Sequence, residues 1–528
     1  MKKRFIVVSI FFLTASLVSL PIQPVEAKTL NWSSGSDLNS MDPYGQTMTN
    51  TIAFLLHIYD PLVRYNRNLK IEPALATSWK VIEPSVWRFS LRKGVNFHNG
   101  NPFNADDVVA SIKRVTHPRC VLRGNVPGIK DIRKVDDYTV DIILTGSYPL
   151  LLNDLTNIAM MDQEWMAENK CLDPIDPAKG ESSHTTTHTN GTGAFILEIW
   201  RPDAEAVTVV NPSWWDKPEH NITRTVYTPI KSDATRVAAM LSGKLDYMYP
   251  APLQDLDRIN GTKGFKAVSA PSLRTIMLAF NQAPNEPTSS NIKGKNPLKD
   301  VRIRKALYYA IDIDSIQKRI MRGMSRNAGL YVAPEIPGFH PDLNTRLPYD
   351  PNAAKELLAE AGYPEGFEIG LDGPNDLYIN DEAICQAITS MWARIGVKAH
   401  LTTQPSGVYM KKSMAGTVDV WMLGWATEPM LDSFSILAQV LSSKREKYGV
   451  RNPGGYGNPR VDELIDKIAV ELDEPKRLKM IYEAFSIVRE DIPIIPLHQQ
   501  PLTWALRDGL HVVHAADNKP RLWYARID

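Results

Sequence analysis

The sequence predicts a mixed α/β protein with at least two lobes. Helical and strand-like segments alternate along the 528 residues, with many Pro and Gly residues between them. That order is typical of α/β folds. A single hydrophobic core stops growing at roughly 250 to 300 residues, so a chain of this length needs more than one core. No segment of about 20 to 50 residues repeats along the chain, which argues against a solenoid.

The first 27 residues have the pattern of a secretory signal peptide. Three basic residues at positions 2 to 4 precede an apolar run of 16 residues from Phe5 to Leu20, and Ala27 stands at the expected cleavage site. The run is shorter than the roughly 20 residues that a membrane-spanning helix needs. We therefore expect cleavage after Ala27 and a protein that is soluble outside the cytoplasm, with no membrane insertion.

The formal charge of the chain is close to zero. It is +1 for the whole sequence, and loss of the signal segment removes three basic residues and one acid, which leaves −1. A near-neutral chain lacks the basic surface that nucleic-acid binding requires. We therefore expect no nucleic-acid partner.

Three helices are predicted, two of them with clear starts. Asn104 can cap the helix that follows it, and Asp350 can cap a helix that begins with Pro351 and ends at Gly362. An apolar stripe predicts a third helix within residues 300–316.

Five segments are predicted to be strands, and two of them are unusually apolar. Those two are predicted either to be buried on both faces of a sheet or to carry the chain between lobes. The five segments are residues 86–94, 138–144, 193–200, 274–282 and 492–499, the last two being the apolar pair.

No catalytic motif stands out. The chain contains no G-x-S-x-G, no H-E-x-x-H and no P-loop. His184 and His188 have the spacing of metal ligands on a helix, but their Thr-rich surroundings favour a loop. We therefore expect a non-enzyme with no catalytic residues, no metal site and no cofactor.

The three cysteines leave one pairing open. Cys120 and Cys171 lie in polar, Pro-flanked segments, so they are the plausible disulfide partners in an oxidising compartment. Cys385 has the surroundings of a small apolar helix residue. Whether the first two come close enough to pair is not determined by the sequence.

Six segments, in order, resemble those of extracellular solute-binding protein family 5. This family comprises the oligopeptide- and dipeptide-binding receptors of ABC transporters. The resemblance covers essentially the whole chain after residue 27. The segments are HIYDPLVRYN (57–66), EPALATSWK (72–80), WRFSLRKGVNFHNGNPFNADDVV (87–109), NGTGAF (190–195), KDVRIRKALYYAIDIDSI (299–316) and LPYDPNAAKELLAEAGYPEGFEI (347–369).

The resemblance implies a two-lobed periplasmic binding protein fold of type II, in the large peptide-binder class. Lobe I would comprise residues 28–272, with an extra subdomain at about 60–185, and would take the chain back at 488–528. Lobe II would comprise 273–487, and two crossings would join the lobes. The implied protein is a periplasmic monomer that delivers its ligand to an ABC transporter permease pair driven by two ATP-binding subunits.

The resemblance also implies an acid in the binding cleft. Peptide binders of the family have Gly-Trp, two further residues and then an Asp that forms a salt bridge to the α-amine of the peptide. Gly424 and Trp425 match this pattern, and Glu428, one methylene longer, occupies the acid position; Asp432 falls in the turn that follows. We interpret the glycine as letting the backbone turn close to a ligand. The alternatives are that Glu428 caps a local turn or pairs with a basic residue of lobe I, and that Trp425 is purely a core residue.

Further ligand-binding candidates are weaker. Asp37 and Asn39 precede a segment whose family counterpart lies on the rim of lobe I; Arg274 and Asn281 flank the first crossing, and Trp504 follows the second. We expect a receptor that captures a short peptide or a related amine-bearing solute by hinge closure. The alternative ligands are an oligosaccharide, an opine-like compound, a metal chelate or haem. A secreted hydrolase and a chaperone-like binder are alternatives of a different class.

Overall fold

The computed structural model describes residues 28–528, so the predicted signal segment lies outside the described residues. The strands are β1 (Thr29–Ser33), β2 (Val63–Tyr65), β3 (Ile71–Pro73), β4 (Ala76–Glu83), β5 (Val86–Leu91), β6 (Ile129–Asp136), β7 (Thr139–Leu144), β8 (Phe195–Arg201), β9 (Glu205–Val210), β10 (Arg224–Tyr227), β11 (Tyr247–Met248), β12 (Phe265–Phe280), β13 (Arg326–Asn327), β14 (Phe367–Pro374), β15 (Val397–Gln404), β16 (Val420–Trp425), β17 (Ile494–Arg507), β18 (Leu510–His511) and β19 (Arg526–Ile527).

The helices complete the α/β pattern. They are α1 (Thr49–Leu55), α2 (Ala105–Thr116), α3 (Leu151–Leu155), α4 (Gln163–Glu168), α5 (Asp233–Leu241), α6 (Leu256–Asn260), α7 (Val301–Tyr309), α8 (Ile313–Ser315), α9 (Pro351–Glu360), α10 (Asp381–Ala393), α11 (Ser406–Met414), α12 (Phe434–Gln439), α13 (Pro459–Ile468) and α14 (Glu474–Asp491). None of them, within residues 28–528, is long and apolar enough to cross a membrane.

One sheet of eleven strands runs through the molecule. Its order is β15–β14–β16–β12–β17–β11–β1–β10–β9–β8, and β13 pairs with β17 beside this path. We call the half built on β1 and β8–β11 lobe I, and the half built on β14–β16 lobe II. The two long strands β12 and β17 lie antiparallel between the halves, with β16 on one side and β11 on the other. The apolar segments predicted from sequence at 274–282 and 492–499 fall largely within this pair.

Side chains that alternate along β12 enter two different hydrophobic clusters. Ile276 and Leu278 pack with Trp392 and the helices α7, α9 and α10. Met277 and Ala279 pack with Phe485 and the helices α12–α14. Because successive strand residues point to opposite faces, the central sheet is covered on both sides. This explains why the segment is apolar at almost every position. The predicted lobe boundaries at 272 and 488 stay predictions.

A separate antiparallel sheet, in the order β4–β5–β7–β6, lies within the predicted extra subdomain of lobe I. Helix α2 packs against β6 and β7. Its start is a capping box: the Asn104 side chain accepts from the Asp106 N–H at 2.8 Å, and the Asp107 carboxylate accepts from the Asn104 N–H at 2.8 Å. The predicted cap at Asn104 is confirmed.

The other predicted helices are confirmed in part. Asp350 caps α9 by accepting from the N–H groups of Asn352 and Ala353. The helix predicted within 300–316 is two helices, because the Asp312 carboxylate accepts from the Ser315 N–H at 2.9 Å and starts α8. An aspartate in this position competes with the continuing helix for the backbone N–H groups.

No disulfide joins Cys120 and Cys171. All three cysteines of the described chain are free and buried. The Cys120 thiol points to the carbonyl of Tyr44 at 3.7 Å, whereas the Cys171 thiol points to the carbonyl of Met166 at 3.5 Å. The bridge considered from the sequence is therefore absent. Both segments are polar and flanked by Pro, yet both cysteine side chains are buried in the core of lobe I.

Candidate ligand-binding cleft

A cleft of about 380 Å³ opens where the end of β16 faces lobe I. Lobe II contributes the end of β16 and the stretch that follows it, and β12 contributes one arginine. Lobe I contributes mainly polar side chains and a lysine near the C-terminus. The lining residues are Thr47, Thr49, Ile52, Leu122, Asn125, Asn157, Arg274, Gly424, Trp425, Ala426, Glu428, Pro429 and Lys519.

Strand β16 positions the lobe II side of the cleft. Its first three residues are buried, and its last residues pair with β12 in the register Ile276–Gly424 and Thr275–Trp425. The chain then leaves the sheet in a turn, closed by a bond from the Leu431 N–H to the Thr427 carbonyl at 2.9 Å. An apolar strand anchored in the core thus ends at the cleft wall and presents the turn to the opposite lobe.

Glu428 lies on this turn and is partly exposed to the cleft. In residues 28–528 its carboxylate forms no ion pair and accepts no hydrogen bond. Burial raises the pKa of the Glu428 carboxyl above its usual range, while the positive charges of Lys519 and Arg274 oppose that rise. The free protein therefore holds a partly desolvated acid without a direct partner.

Trp425 combines packing with a cleft position. It is half-buried, it packs against the cluster around Phe485, and its Nε1–H donates to the Ser435 hydroxyl at 2.9 Å. The bond to α12 fixes the ring while one part of it lines the cleft. The ring is therefore packed on the core and also lines the cleft, and its role as a wall for a ligand stays a prediction.

The side chain of Tyr378 leaves no room for any residue larger than glycine at position 424. A Cβ at this position would lie 2.4 Å from Cε1 of Tyr378. The Tyr378 hydroxyl also accepts from the Gly424 N–H at 2.9 Å. The missing side chain therefore makes room for the Tyr378 ring, and the interpretation that the glycine also serves the approach of a ligand stays a prediction.

Two cations face the same cleft. The Arg274 guanidinium contacts the Gly424 carbonyl at 3.5 Å and lies 6.0 Å from the centre of the Tyr378 ring. Lys519 is buried, and its Nζ donates to the Asn157 side chain at 3.1 Å. Sequence reasoning missed Lys519, although its position in the charged stretch Asp-Asn-Lys-Pro-Arg close to the C-terminus was a usable signal.

The remaining predicted residues do not line this cleft. The Asp37 carboxylate accepts from the N–H of Asp203, and Asn39 is exposed. Asn281 is buried and donates to two carbonyls, those of residues 416 and 418. Asn281 lies six residues beyond Thr275, which pairs with Trp425 at the cleft. Six residues of an extended strand span about 20 Å. Trp504 is buried in lobe I, where its indole N–H donates to the Asn518 side chain at 2.9 Å.

The fold and the cleft define a class of protein: two α/β halves joined by a pair of crossing strands, with a polar cleft beside the crossing. The chain belongs to the bacterial extracellular solute-binding proteins, family 5, whose profile matches residues 70–448. The resemblance seen in the sequence and the two-lobed α/β fold that it implies are both confirmed.

Individual relatives differ in the solute that they bind. The chain is similar to heme-binding protein A of Haemophilus influenzae, with 28% identity over 472 residues, or 83% of this chain and 81% of that protein. It is equally similar to the dipeptide-binding protein of Escherichia coli, with 28% identity over 508 residues and 91% of each chain. The ABC transporter-associated periplasmic binding protein DppA from Helicobacter pylori, solved with the peptide STSA, shares the fold: the TM-score is 0.72 at 23% identity, covering 95% of this chain and 98% of that one.

Proposed function

We propose that this protein is a periplasmic receptor of an ABC importer that captures a short peptide or a related amine-bearing solute and delivers it to an inner-membrane permease pair. The observation that carries the proposal is the Glu428 carboxylate, which faces the cleft without an ion-pair partner in the described chain and whose pKa is raised by burial. An ammonium group of a ligand is the natural partner for such an acid.

The energetics favour an amine over a neutral group. A hydrogen bond between an ammonium and a carboxylate contributes about 1.5 to 3 kcal/mol, roughly twice a neutral bond. A ligand without the amine leaves the acid desolvated and unpaired, which costs free energy. The cleft therefore discriminates by charge, and the neutral walls formed by Trp425 and Ile52 accept varied side chains.

Contacts between the two halves support delivery by hinge closure. The Asn153 side chain on α3 donates to the carbonyl of Met430 at 2.7 Å, and the Tyr65 hydroxyl donates to the same carbonyl at 3.1 Å. Met430 stands two residues after Glu428, on the turn that faces the cleft. A ligand that orders this turn through Glu428 would favour the bonds to Asn153 and Tyr65, and with them the closed population.

A second candidate is a receptor for an anionic ligand such as haem. Arg274 and Lys519 face the cleft without an ion-pair partner in residues 28–528, and carboxylates of a ligand would suit them. One relative is named for haem binding. In this case Glu428 would repel the ligand, so removal of its charge would strengthen binding.

Native mass spectrometry of the protein purified from its host tests the proposal. We expect a retained mass that fits a short peptide or another amine; a porphyrin, a hexose series or a metal complex would contradict it.

Replacement of the cleft acid tests the mechanism. For the retained ligand, Glu428→Gln should lower the affinity by about 10- to 150-fold, as the loss of about 1.5 to 3 kcal/mol requires. Titration calorimetry measures the change, and Glu446→Gln, at an exposed position of lobe II, is the matched control with unchanged affinity. Tighter binding by Glu428→Gln would favour the anionic ligand instead.

A further inference from the structure

The two halves of the molecule touch beside the cleft through the short helix α3 and the segment before it. The Ser147 hydroxyl donates to the Val470 carbonyl at 2.6 Å, in addition to the bond from Asn153 to the turn of lobe II. Leu150, at the start of α3, is buried in the same hydrophobic cluster as Trp421 of β16. Helix α3 is therefore a buried contact between lobe I and lobe II.

Asp154 lies on the face of α3 that meets lobe II. Residues three and four positions apart share a face of a helix, so Asp154 lies on the side of Leu150, whose carbonyl accepts from the Asp154 N–H at 3.1 Å. Leu151 and Leu155 are buried in the core of lobe I instead. The Asp154 carboxyl is thus enclosed between the halves, in a residue that is 2% exposed.

The protein offers a charge on Asp154 almost no support. Its Oδ2 accepts from the Tyr148 hydroxyl at 2.7 Å, its Oδ1 has no partner in the described structure, and no cation of residues 28–528 lies within ion-pair distance. A buried carboxylate without a counter-ion is costly, whereas the same group in water is not. The joined halves therefore favour the protonated acid, and separated halves favour the ionised one.

The other charged and titratable groups near this contact do not neutralise Asp154. Arg64 and Arg477 are each bound by carboxylates, and the Lys519 ammonium donates to a neutral amide. Burial raises the pKa of the two phenols, so they remain neutral. The groups are Tyr65 and Arg64 on β2, Tyr148 before α3, Glu428 and Asp432 on the facing turn, Arg477 on α14, Glu471 after Val470, and Lys519. Asp154 is therefore enclosed at the contact without a cation.

We propose that Asp154 is a proton-dependent contact between the two halves: when it is protonated the halves stay joined beside the cleft, and when it is ionised they separate and the cleft opens. The inference rests on the proposed function, because it acts on the hinge closure that holds a ligand. A solute captured at lower pH would be released more readily at higher pH.

The direction of the pH effect follows from the two states. Burial raises the pKa of the Asp154 carboxyl from its ordinary value of 3.8 to about 8 in the joined form, whereas exposure to water in the separated form returns it towards the ordinary value. Between these values the joined form binds one more proton. The ratio of joined to separated molecules should therefore fall as the pH rises, by up to about 10-fold per unit.

Distances between labels on the two rims of the cleft test this in ligand-free protein. The three cysteines are buried, so Met48→Cys on lobe I and Val408→Cys on lobe II, at positions 47% and 53% exposed, accept spin labels selectively. Pulsed electron paramagnetic resonance from pH 5.5 to 8.5 should show a growing fraction of longer distances as the pH rises. Asp154→Asn, neutral throughout, should keep the short distance, and Asp173→Asn, at an exposed position of lobe I, is the matched control that should open as wild type does.

A label distance that is independent of pH in the otherwise wild-type protein overturns the inference, and that measurement needs no change at Asp154. A transition that survives in Asp154→Asn overturns it too. Tyr148→Phe removes the one hydrogen bond that favours the ionised carboxylate, so the transition should move to higher pH; a shift to lower pH would contradict the role of Asp154. All these measurements use ligand-free protein, so their failure leaves the receptor function standing, and native mass spectrometry decides that function separately.

Discussion

Two acids on one turn of lobe II have opposite surroundings. Asp432 is 2% exposed, and Arg477 on α14 binds both of its oxygens at 2.6 and 2.8 Å. Glu428, four residues earlier, faces the cleft with no ion pair in the described chain. The difference distinguishes a charge that the protein pairs itself from one that it leaves unpaired in the cleft. A carboxylate that the protein itself saturates holds the turn in place, whereas one left open by the protein is available to a ligand.

Removal of Arg477 should have the largest effect, because it turns the saturated acid into an unpaired one. We expect Arg477→Met to lower the free energy of unfolding by about 3 to 5 kcal/mol, the cost of leaving one partner of a buried pair alone. Urea denaturation measures it. Arg460→Met, which breaks exposed pairs with two glutamates, is the control and should cost less than about 1 kcal/mol. Equal effects of the two variants would show that the Asp432 pair is not the anchor of the turn.

Asp154 is a third case, a buried acid whose only side-chain partner is a neutral hydroxyl. It is 2% exposed, its Oδ2 accepts from the Tyr148 hydroxyl at 2.7 Å, and its Oδ1 has no partner in the described structure. Burial raises the pKa of this carboxyl from its ordinary value of 3.8 to about 8.

The raised pKa of Asp154 predicts a pH dependence of stability. Between pH 4 and 8 the folded protein keeps a proton that the unfolded chain releases, so the free energy of unfolding falls as the pH rises, by up to about 1.4 kcal/mol per unit. Asp154→Asn, neutral throughout, should remove this slope. Urea denaturation at several pH values compares the two proteins, and identical slopes would contradict a protonated Asp154.

Glu428→Gln should affect ligand-free stability far less than Arg477→Met. Because the pKa of Glu428 is raised from its ordinary value of 4.5, ionisation opposes folding, and stability falls as the pH rises from 4.5 through the raised value. We expect the variant to be as stable as wild type at pH 7, or more stable by less than about 1 kcal/mol. Thermal denaturation of ligand-free protein at pH 7 measures this. A marked loss of stability would mean that Glu428 is a structural turn residue.

A modest loss of affinity is expected from a change at the contact between the lobes. Asn153→Ala removes one of the two bonds to the Met430 carbonyl, and a neutral hydrogen bond contributes about 0.5 to 1.5 kcal/mol. If the proposed hinge closure holds, affinity should therefore fall by roughly 2- to 10-fold for every ligand alike, since the closed form and not recognition is weakened. Titration calorimetry with several ligands, together with small-angle scattering of the free protein, would detect it. A loss confined to one ligand would assign Asn153 to recognition instead.

The sequence predicted local structure correctly where a single residue, such as a helix cap, determines it. The caps at Asn104 and Asp350 were predictable, because a short polar side chain before an apolar stripe satisfies the first N–H groups wherever the helix packs. The apolar strands at 274–282 and 492–499 were predictable as doubly buried or crossing segments, although only the sheet order shows that they pair with each other.

Contacts between distant segments were not predictable. Lys519 reaches the cleft from near the C-terminus, and Tyr378 explains Gly424 from 46 residues away. Among the predicted site residues, Gly424, Trp425, Glu428 and Arg274 meet in one cleft, whereas Asn281 and Trp504 are held by bonds inside their own lobes. In the sequence, a polar residue beside a crossing strand has the same pattern whether it lines the cleft or bonds inside its own lobe.

The sequence by itself determined the α/β class, the need for more than one core, the helix starts and the family, because these depend on composition, periodicity and local motifs. Only the tertiary structure decided which charges are paired. Asp432 is saturated by Arg477, 45 residues further along the chain, whereas Glu428 forms no ion pair with Lys519, which lies 91 residues further along and also faces the cleft. Electrostatic pairing is a property of distance and burial, and the linear order of residues contains neither.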